Sequence, residues 1–132
     1  MSVAEIELIL PADGAFRRVA HLVLGGLATR HDLTVETLED LTLALDTVLA
    51  RHPEANGEVT VRLRITGESI STEVGPFRGR DVRDELEHES DDAVDLHRIL
   101  FAVCDDVSVV DRDGGQWVEM KKRVDRAPSE VA

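Results

Sequence analysis

The sequence contains a single cysteine, no tyrosine and few aromatic residues of any kind. Because Cys104 has no second cysteine to pair with, an intrachain disulfide is excluded and a reducing compartment is favoured. Aromatic side chains make up only 3% of the 132 residues, so the core must be aliphatic. With 42% hydrophobic residues, the chain still has enough apolar material for one folded domain.

Long apolar runs are missing as well. No stretch approaches the roughly 20 apolar residues of a membrane-spanning helix, and residues 1–8 have neither the basic nor the apolar region of a signal peptide. We therefore expect a cytoplasmic protein without a membrane partner.

Basic residues are in short supply, with 15 Lys and Arg against 27 Asp and Glu and a net charge of −12. Nucleic acids and anionic membranes are bound through basic surfaces, so this balance works against both as main partners. A basic protein partner suits the acidic charge, although acidity also serves solubility alone.

The most regular segment is a helix predicted between Leu33 and His52. It has Thr34 as a candidate N-cap and stops before Pro53. Its apolar residues recur at helical intervals and predict one buried stripe, formed by Leu38, Leu41, Leu45, Val48 and Leu49. A second face carries Leu43, Thr47 and Arg51 at four-residue spacing.

The remaining patterns predict a strand at 4–10, a helix from Asp13 to about Arg30, a hairpin over 59–74, a short helix around 96–103 and a second hairpin over 107–124. In the first helix, the predicted core stripe is Phe16, Val19, Ala20, Val23 and Leu27, and Gly25-Gly26 favour tight packing. This order indicates an α/β (α+β) fold, a two-layer sandwich with helices on one face of a mixed, mostly antiparallel sheet. We expect one domain over 1–124 and a flexible tail over 125–132.

Residues 75–80 are predicted to form a loop, and an acidic segment follows over 81–95 that holds eight of the 27 acids. Ser90 or Asp91 could cap the helix that comes next. With His88 and His97, this segment is the nearest approach to a metal site. It lacks the ligand rhythm and turn glycine of a calcium loop, so a solvated acidic face is favoured and no metal site is predicted.

Residues 16–51, 57–74 and 96–124 resemble, in order and spacing, the anti-sigma regulatory factor serine kinases of the Bergerat-fold (histidine kinase-like) ATPases. The resemblance implies a protein that binds a sigma factor, and in many members also phosphorylates a serine of an antagonist with Mg-ATP. It implies three sequence boxes for that chemistry, and it makes the first helix and the outer sheet contact surfaces, the sheet often for homodimers.

The first box places Glu and Asn four residues apart on the second helix, as base and magnesium ligand. The matching residues here are Thr47 and Arg51. A hydroxyl cannot act as a carboxylate base, and a guanidinium has no acceptor for a metal. Asp46 is the alternative base, although it lies about 100° around the helix from the matching position.

The other two boxes also depart from the pattern that the resemblance implies. The second requires an Asp with glycines around the adenine; this chain retains Gly75 and Gly79 but has no such Asp, unless Glu73 replaces it. A plain turn explains the two glycines as well. The third requires a glycine-rich helix start to hold phosphates, and residues 91–96 contain no glycine and three aspartates.

Two main hypotheses follow. The favoured one is a regulatory domain without ATP hydrolysis that binds a sigma factor or its antagonist, with Asp84, Glu85 and Glu87 contacting basic residues of the partner. The alternative is an ATP- and Mg-dependent serine kinase with Asp46 as base and Arg51 on phosphate. A scaffold or dimerisation domain without a sigma connection is a third possibility.

Overall fold

The computed structural model describes residues 4–51, 57–78, 81–87, 96–112 and 114–124. Within these ranges the chain forms five strands and four helices, with a short 3₁₀ turn at Gly14–Phe16 before the first helix. The strands are β1 (Ala4–Pro11), β2 (Glu58–Ile65), β3 (Ser69–Phe77), β4 (Asp106–Arg112) and β5 (Gly115–Arg123). The helices are α1 (Arg17–Arg30), α2 (Val35–Leu49), α3 (Asp81–Glu87) and α4 (Leu96–Val103).

The strands form one sheet in the order β1-β2-β3-β5-β4. Its four described pairings are all antiparallel, so the predicted antiparallel character is confirmed and the predicted mixed component is wrong. The reason is that α1 and α2 run in opposite directions between β1 and β2. The second helix returns the chain to the end of the sheet that it left, and β2 therefore runs back along β1.

The alternation along each strand gives the sheet one apolar face and one polar face, as predicted. A representative row of paired residues on the apolar face is Ile6, Leu63, Thr72, Met120 and Val107. The buried residues of the helices join these side chains in a single core. Helices on one face of a sheet form the two-layer sandwich expected from the sequence.

Helix α1 confirms the predicted stripe only in part. Ala20 and Leu27 are buried and Val23 is partly buried, as expected. Phe16 and Val19 are exposed, however, and Leu24 and Ala28 are buried in addition. The 3₁₀ turn that Asp13 caps precedes the α-helix and shifts the phase of its first turn.

The two glycines of α1 do not serve tight packing. A Cβ atom added at Gly25 or Gly26 would have no neighbour within 4 Å. The close helix contact predicted there is therefore absent among the described residues.

Two further predictions need correction. Strand β3 continues to Phe77, so residues 75–77 of the predicted loop are strand, with an irregular register between Val74 and Phe77. Part of the acidic segment forms α3, because Val82 and Leu86 lie one helical turn apart and both reach the core.

The candidate caps Ser90 and Asp91 and the tail 125–132 lie outside the described residues. In the described ranges, no helix has the length and apolarity needed to cross a bilayer.

Candidate functional site

Helix α2 is fixed at its start and along its buried stripe. The Thr34 side chain accepts a hydrogen bond from the backbone N–H of Thr37, which confirms the predicted N-cap. Leu45 and Val48 are completely buried, and the regular helix ends at Leu49, before the predicted stop. The helix consequently presents two polar flanks, one beside α1 and one beside α3.

The flank beside α3 carries the two residues that match the first box. The Thr47 hydroxyl donates a hydrogen bond to the Leu43 carbonyl at 2.7 Å, one turn back along the helix. The Arg51 Nε atom donates to the Glu85 carboxylate of α3, also at 2.7 Å. Arg51 and Glu85, predicted separately as candidate site residues, therefore contact each other.

These contacts bear on whether magnesium and a nucleotide fit here. Magnesium requires oxygen ligands, and the guanidinium of Arg51 has none to offer. Its charge is directed to a carboxylate of the same chain. Arg51 therefore does not fit the role of metal ligand that the resemblance gives to its position.

The flank beside α1 carries Asp46, the alternative base. Its Oδ1 atom is hydrogen-bonded to Nε2 of His21 at 2.6 Å, and both side chains are about one-third exposed. Asp46 thus contacts α1, whereas Arg51 contacts α3. The structure does not bring the two residues of the kinase alternative together on one flank.

The glycines and the glutamate of the second box lie in different surroundings. Gly75 is buried in β3, where a Cβ atom would come within 2.7 Å of the Trp117 ring and 2.9 Å of the Gln116 carbonyl oxygen. Close approach of Trp117 thus accounts for this glycine. Glu73 lies on the polar face of the sheet and pairs with Arg112 at 3.0 Å, so it cannot reach a site among the helices. Gly79 lies outside the described residues.

Helix α3 carries the three predicted partner-binding acids on its exposed surface. Glu85 is bound by Arg51, as described above, and Glu87 lies 3.8 Å from Arg83 on its own helix. Arg83 also reaches Asp111 of β4 at 3.0 Å. The acidic surface is therefore partly neutralised within the chain.

Sequence reasoning missed a charged cluster on the polar face of the sheet. The Arg112 guanidinium contacts Glu73 and Glu119, both at 3.0 Å, and Arg62 contacts Glu7 at 2.7 Å. These two arginines lie over the ring of the single tryptophan, with their guanidinium carbons 5.5 and 4.8 Å from its centroid.

The signal that could have found this cluster is the alternation of acids along β1 with arginines along β2. It places Glu7 opposite Arg62 in the antiparallel register. Trp117 is almost fully buried under this cluster, although it lies on the face away from the core.

Histidines and acids do not assemble into a metal centre in the part of the chain that the structure describes. No group of three or more His, Cys, Asp and Glu side chains is arranged there to hold an ion. His97 instead bonds the Leu86 carbonyl of α3 and stacks on Phe101.

No family model matches the sequence. Sequence comparison nevertheless finds relatives that align with 92% of this chain and 86% of their own length. The protein named Serine-protein kinase RsbW of Bacillus cereus (strain B4264) is 25% identical, and the protein of the same name from Bacillus mycoides (strain KBAB4) is 24% identical.

A solved structure has the same fold. It contains the RsbU and RsbW domains of Rv1364c from Mycobacterium tuberculosis and matches 98% of this chain with a TM-score of 0.67. The match covers 35% of that longer chain at 12% identity, so it bears on the fold alone. The resemblance expected from the sequence is confirmed: over nearly its whole length, this chain is similar to the proteins named Serine-protein kinase RsbW.

Proposed function

We propose that this protein is a cytoplasmic regulatory domain that acts by binding another protein, in the manner of an anti-sigma factor, and that it neither hydrolyses ATP nor phosphorylates a substrate. The similarity to the RsbW proteins supports the regulatory class. The residues of this chain support the loss of nucleotide chemistry.

The observation that carries the proposal is the contact between Arg51 and Glu85. The resemblance gives the position of Arg51 to a magnesium ligand, and here it holds a cation that pairs with a neighbouring helix at 2.7 Å. A triphosphate bound nearby would need Glu85 to move and would then face the other acids of α3. At the position of Thr47 the resemblance implies a carboxylate. This chain instead has a hydroxyl, which donates a hydrogen bond to the Leu43 carbonyl of its own helix.

The proposed partner is a sigma factor or an antagonist of such a complex that presents Lys and Arg side chains. Asp84 and Glu87 are exposed on α3 and add to the net charge of −12, which favours rapid and salt-sensitive association with a basic surface. The same charge disfavours nucleic acid and anionic membranes as direct partners.

The second candidate is an ATP-dependent serine kinase, which the names of the relatives favour. In that case Asp46 would act as the base and Arg51 would contact a phosphate. Asp46 would first have to exchange its hydrogen bond with His21 for one with the substrate hydroxyl.

Titration calorimetry with Mg-ATP separates the two candidates. We expect no binding heat at millimolar nucleotide with the whole chain. Saturable binding in the micromolar range, together with transfer of labelled phosphate to a serine protein, would establish the kinase and overturn the proposal.

Partner binding is tested by reversing the acids of α3. The triple substitution Asp84→Lys, Glu85→Lys and Glu87→Lys should weaken binding to the host sigma factor by at least tenfold at low salt. A control with the same charge change is Glu39→Lys, Glu58→Lys and Glu68→Lys, which alters exposed acids elsewhere. Equal losses in both triple variants would mean that only net charge matters.

A homodimer through the polar face of the sheet is a further part of the proposal, inherited from the resemblance. The charges of both signs on that face, including Arg62 and Glu73, are compatible with self-association. Sedimentation equilibrium of the intact chain tests it, since a monomer at high micromolar concentration would contradict a dimer.

A further inference from the structure

Helix α3 is fastened to the rest of the domain by a small number of specific contacts. Val82 and Leu86 are buried in the core, one helical turn apart. Polar contacts fasten the helix on three sides, namely Glu85 with Arg51 just after the end of α2, Arg83 with Asp111 of β4, and the Leu86 carbonyl with His97 of α4. A seven-residue helix is too short to be stable alone, so these contacts determine whether it forms.

The contact with α2 differs from the other two because it engages one of the acids proposed to meet a partner. The Glu85 carboxylate accepts from Arg51 Nε at 2.7 Å, and the two side chains are 43% and 31% exposed. An ion pair at this exposure is worth roughly 0.2–1 kcal/mol. A basic side chain of a partner can therefore compete for the same carboxylate.

We infer that Arg51 is an internal competitor for Glu85: its contact holds α3 against α2 and withholds this carboxylate from a basic partner. In the closed arrangement Glu85 is paired with Arg51. In the open arrangement α3 is released from α2, and Glu85 becomes available. The partner-binding part of this inference rests on the proposed function, whereas the closed contact rests on the intramolecular geometry alone.

Hydrogen exchange of α3, followed by mass spectrometry on the intact chain, tests the closed contact. The substitution Glu85→Lys replaces attraction by repulsion and should raise exchange in α3 on the order of tenfold. The matched control is Glu87→Lys, which makes the same charge change on the same helix, 3.8 Å from Arg83 of that helix, and should have a smaller effect. The decisive variant is the double reversal Arg51→Glu with Glu85→Lys, which should restore slow exchange.

The contact is disproved if the double reversal exchanges as fast as Glu85→Lys alone, or if Glu87→Lys accelerates exchange equally. Exchange of the α2 amides serves as an internal reference. It should be unchanged in every variant if the fold is intact.

Competition is tested with a hexa-arginine peptide as the basic probe. Arg51→Met should bind the peptide roughly two- to fivefold more tightly than Arg18→Met, which removes an equal charge from an exposed position of α1. Equal affinities of the two variants would overturn the competitor role. Because the probe is not a sigma factor, failure of the sigma-binding proposal would leave this result unaffected.

Discussion

The two faces of the sheet are built from the same strands but follow different rules. On the face covered by the helices, the buried Leu63 lies between the partly buried Ile6 and the buried Thr72. On the opposite face, the neighbouring row pairs Arg62 with Glu7 and Glu73 through their charges. The helix-covered face is stabilised by side chains that fill volume and exclude water. The opposite, charged face is stabilised by ion pairs, which depend on the register of neighbouring strands.

Trp117 has features of both faces. It is the single tryptophan of the chain and is only 3% exposed, yet it lies on the charged face. Its ring lies against Gly75, where no side chain intervenes, and under two guanidinium groups. An aromatic ring can therefore be buried without a second layer when a glycine lies beneath it and paired arginines lie above it.

The largest expected effect comes from removing volume on the helix-covered face. Leu63→Ala should lower the free energy of unfolding by about 2–5 kcal/mol, because the side chain is fully buried in the inner strand β2, against a packed core. Urea denaturation followed by far-UV circular dichroism measures it. The neighbouring Arg64→Ala, on the charged face, should change stability by less than about 0.5 kcal/mol. Similar losses in the two variants would contradict the distinction between the faces.

The next effect concerns the glycine beneath Trp117. Gly75→Ala should destabilise the protein by about 1–3 kcal/mol, since the new methyl group would collide with the indole ring and the Gln116 carbonyl. A shift in tryptophan fluorescence should accompany the loss in a urea titration.

The matched control is Gly26→Ala in α1, where the new methyl group meets nothing within 4 Å. This variant should be stabilised by roughly 0.5–1 kcal/mol, because alanine is the better helix former. A stable Gly75→Ala variant with unchanged fluorescence would show that Trp117 does not require the glycine.

A smaller effect is expected from the charges themselves. Glu73→Gln should cost no more than about 1 kcal/mol, although its carboxylate contacts Arg112 at 3.0 Å and Arg62 at 3.9 Å. The loss should shrink further in 1 M salt, which screens exposed pairs. Glu5→Gln, which removes a longer and more exposed contact of 3.6 Å with Arg64, should have no measurable effect. A Glu73→Gln loss that salt leaves unchanged would point to packing instead of charge.

The sequence predicted the helix-covered face well and the charged face poorly. Apolar alternation in β2 and the stripe of α2 each follow one short-range period, so Leu63 and Leu45 could be placed inside without knowing their neighbours. The partners of Arg62 and Arg112 depend on which strands adjoin, and this requires the sheet order. Helix α1 was misjudged because a 3₁₀ turn changes the phase of its stripe, which the periodicity of the sequence does not reveal.

The candidate site shows the same limit. The identities of Thr47 and Arg51 followed from the resemblance, but the pairing of Arg51 with Glu85 joins two residues that are 34 positions apart in the sequence. The contact of Asp46 with His21 likewise depends on how α1 lies against α2. Spacing along one helix fixes which flank a residue occupies, whereas tertiary packing fixes what it meets there.

The reactivity of Cys104 tests how well the helix layer excludes water near this side chain. This thiol follows α4, where burial raises its pKa from 9.0 to about 11, Lys122 opposes the rise, and Asp105 and Asp40 add to it. Because the folded chain holds this proton more tightly, the contribution of the Cys104 thiol to stability is fully present below about pH 9 and is lost as the pH rises toward 11.

At about pH 8, the folded protein should react with iodoacetamide roughly 100-fold more slowly than the urea-unfolded chain, in proportion to its smaller thiolate fraction. The folded rate should rise about tenfold per pH unit up to that pKa. Equal reaction rates of Cys104 in the folded and the unfolded chain would contradict the burial of this thiol. They would mean that water reaches this edge of the helix-covered face as freely as it reaches the charged face.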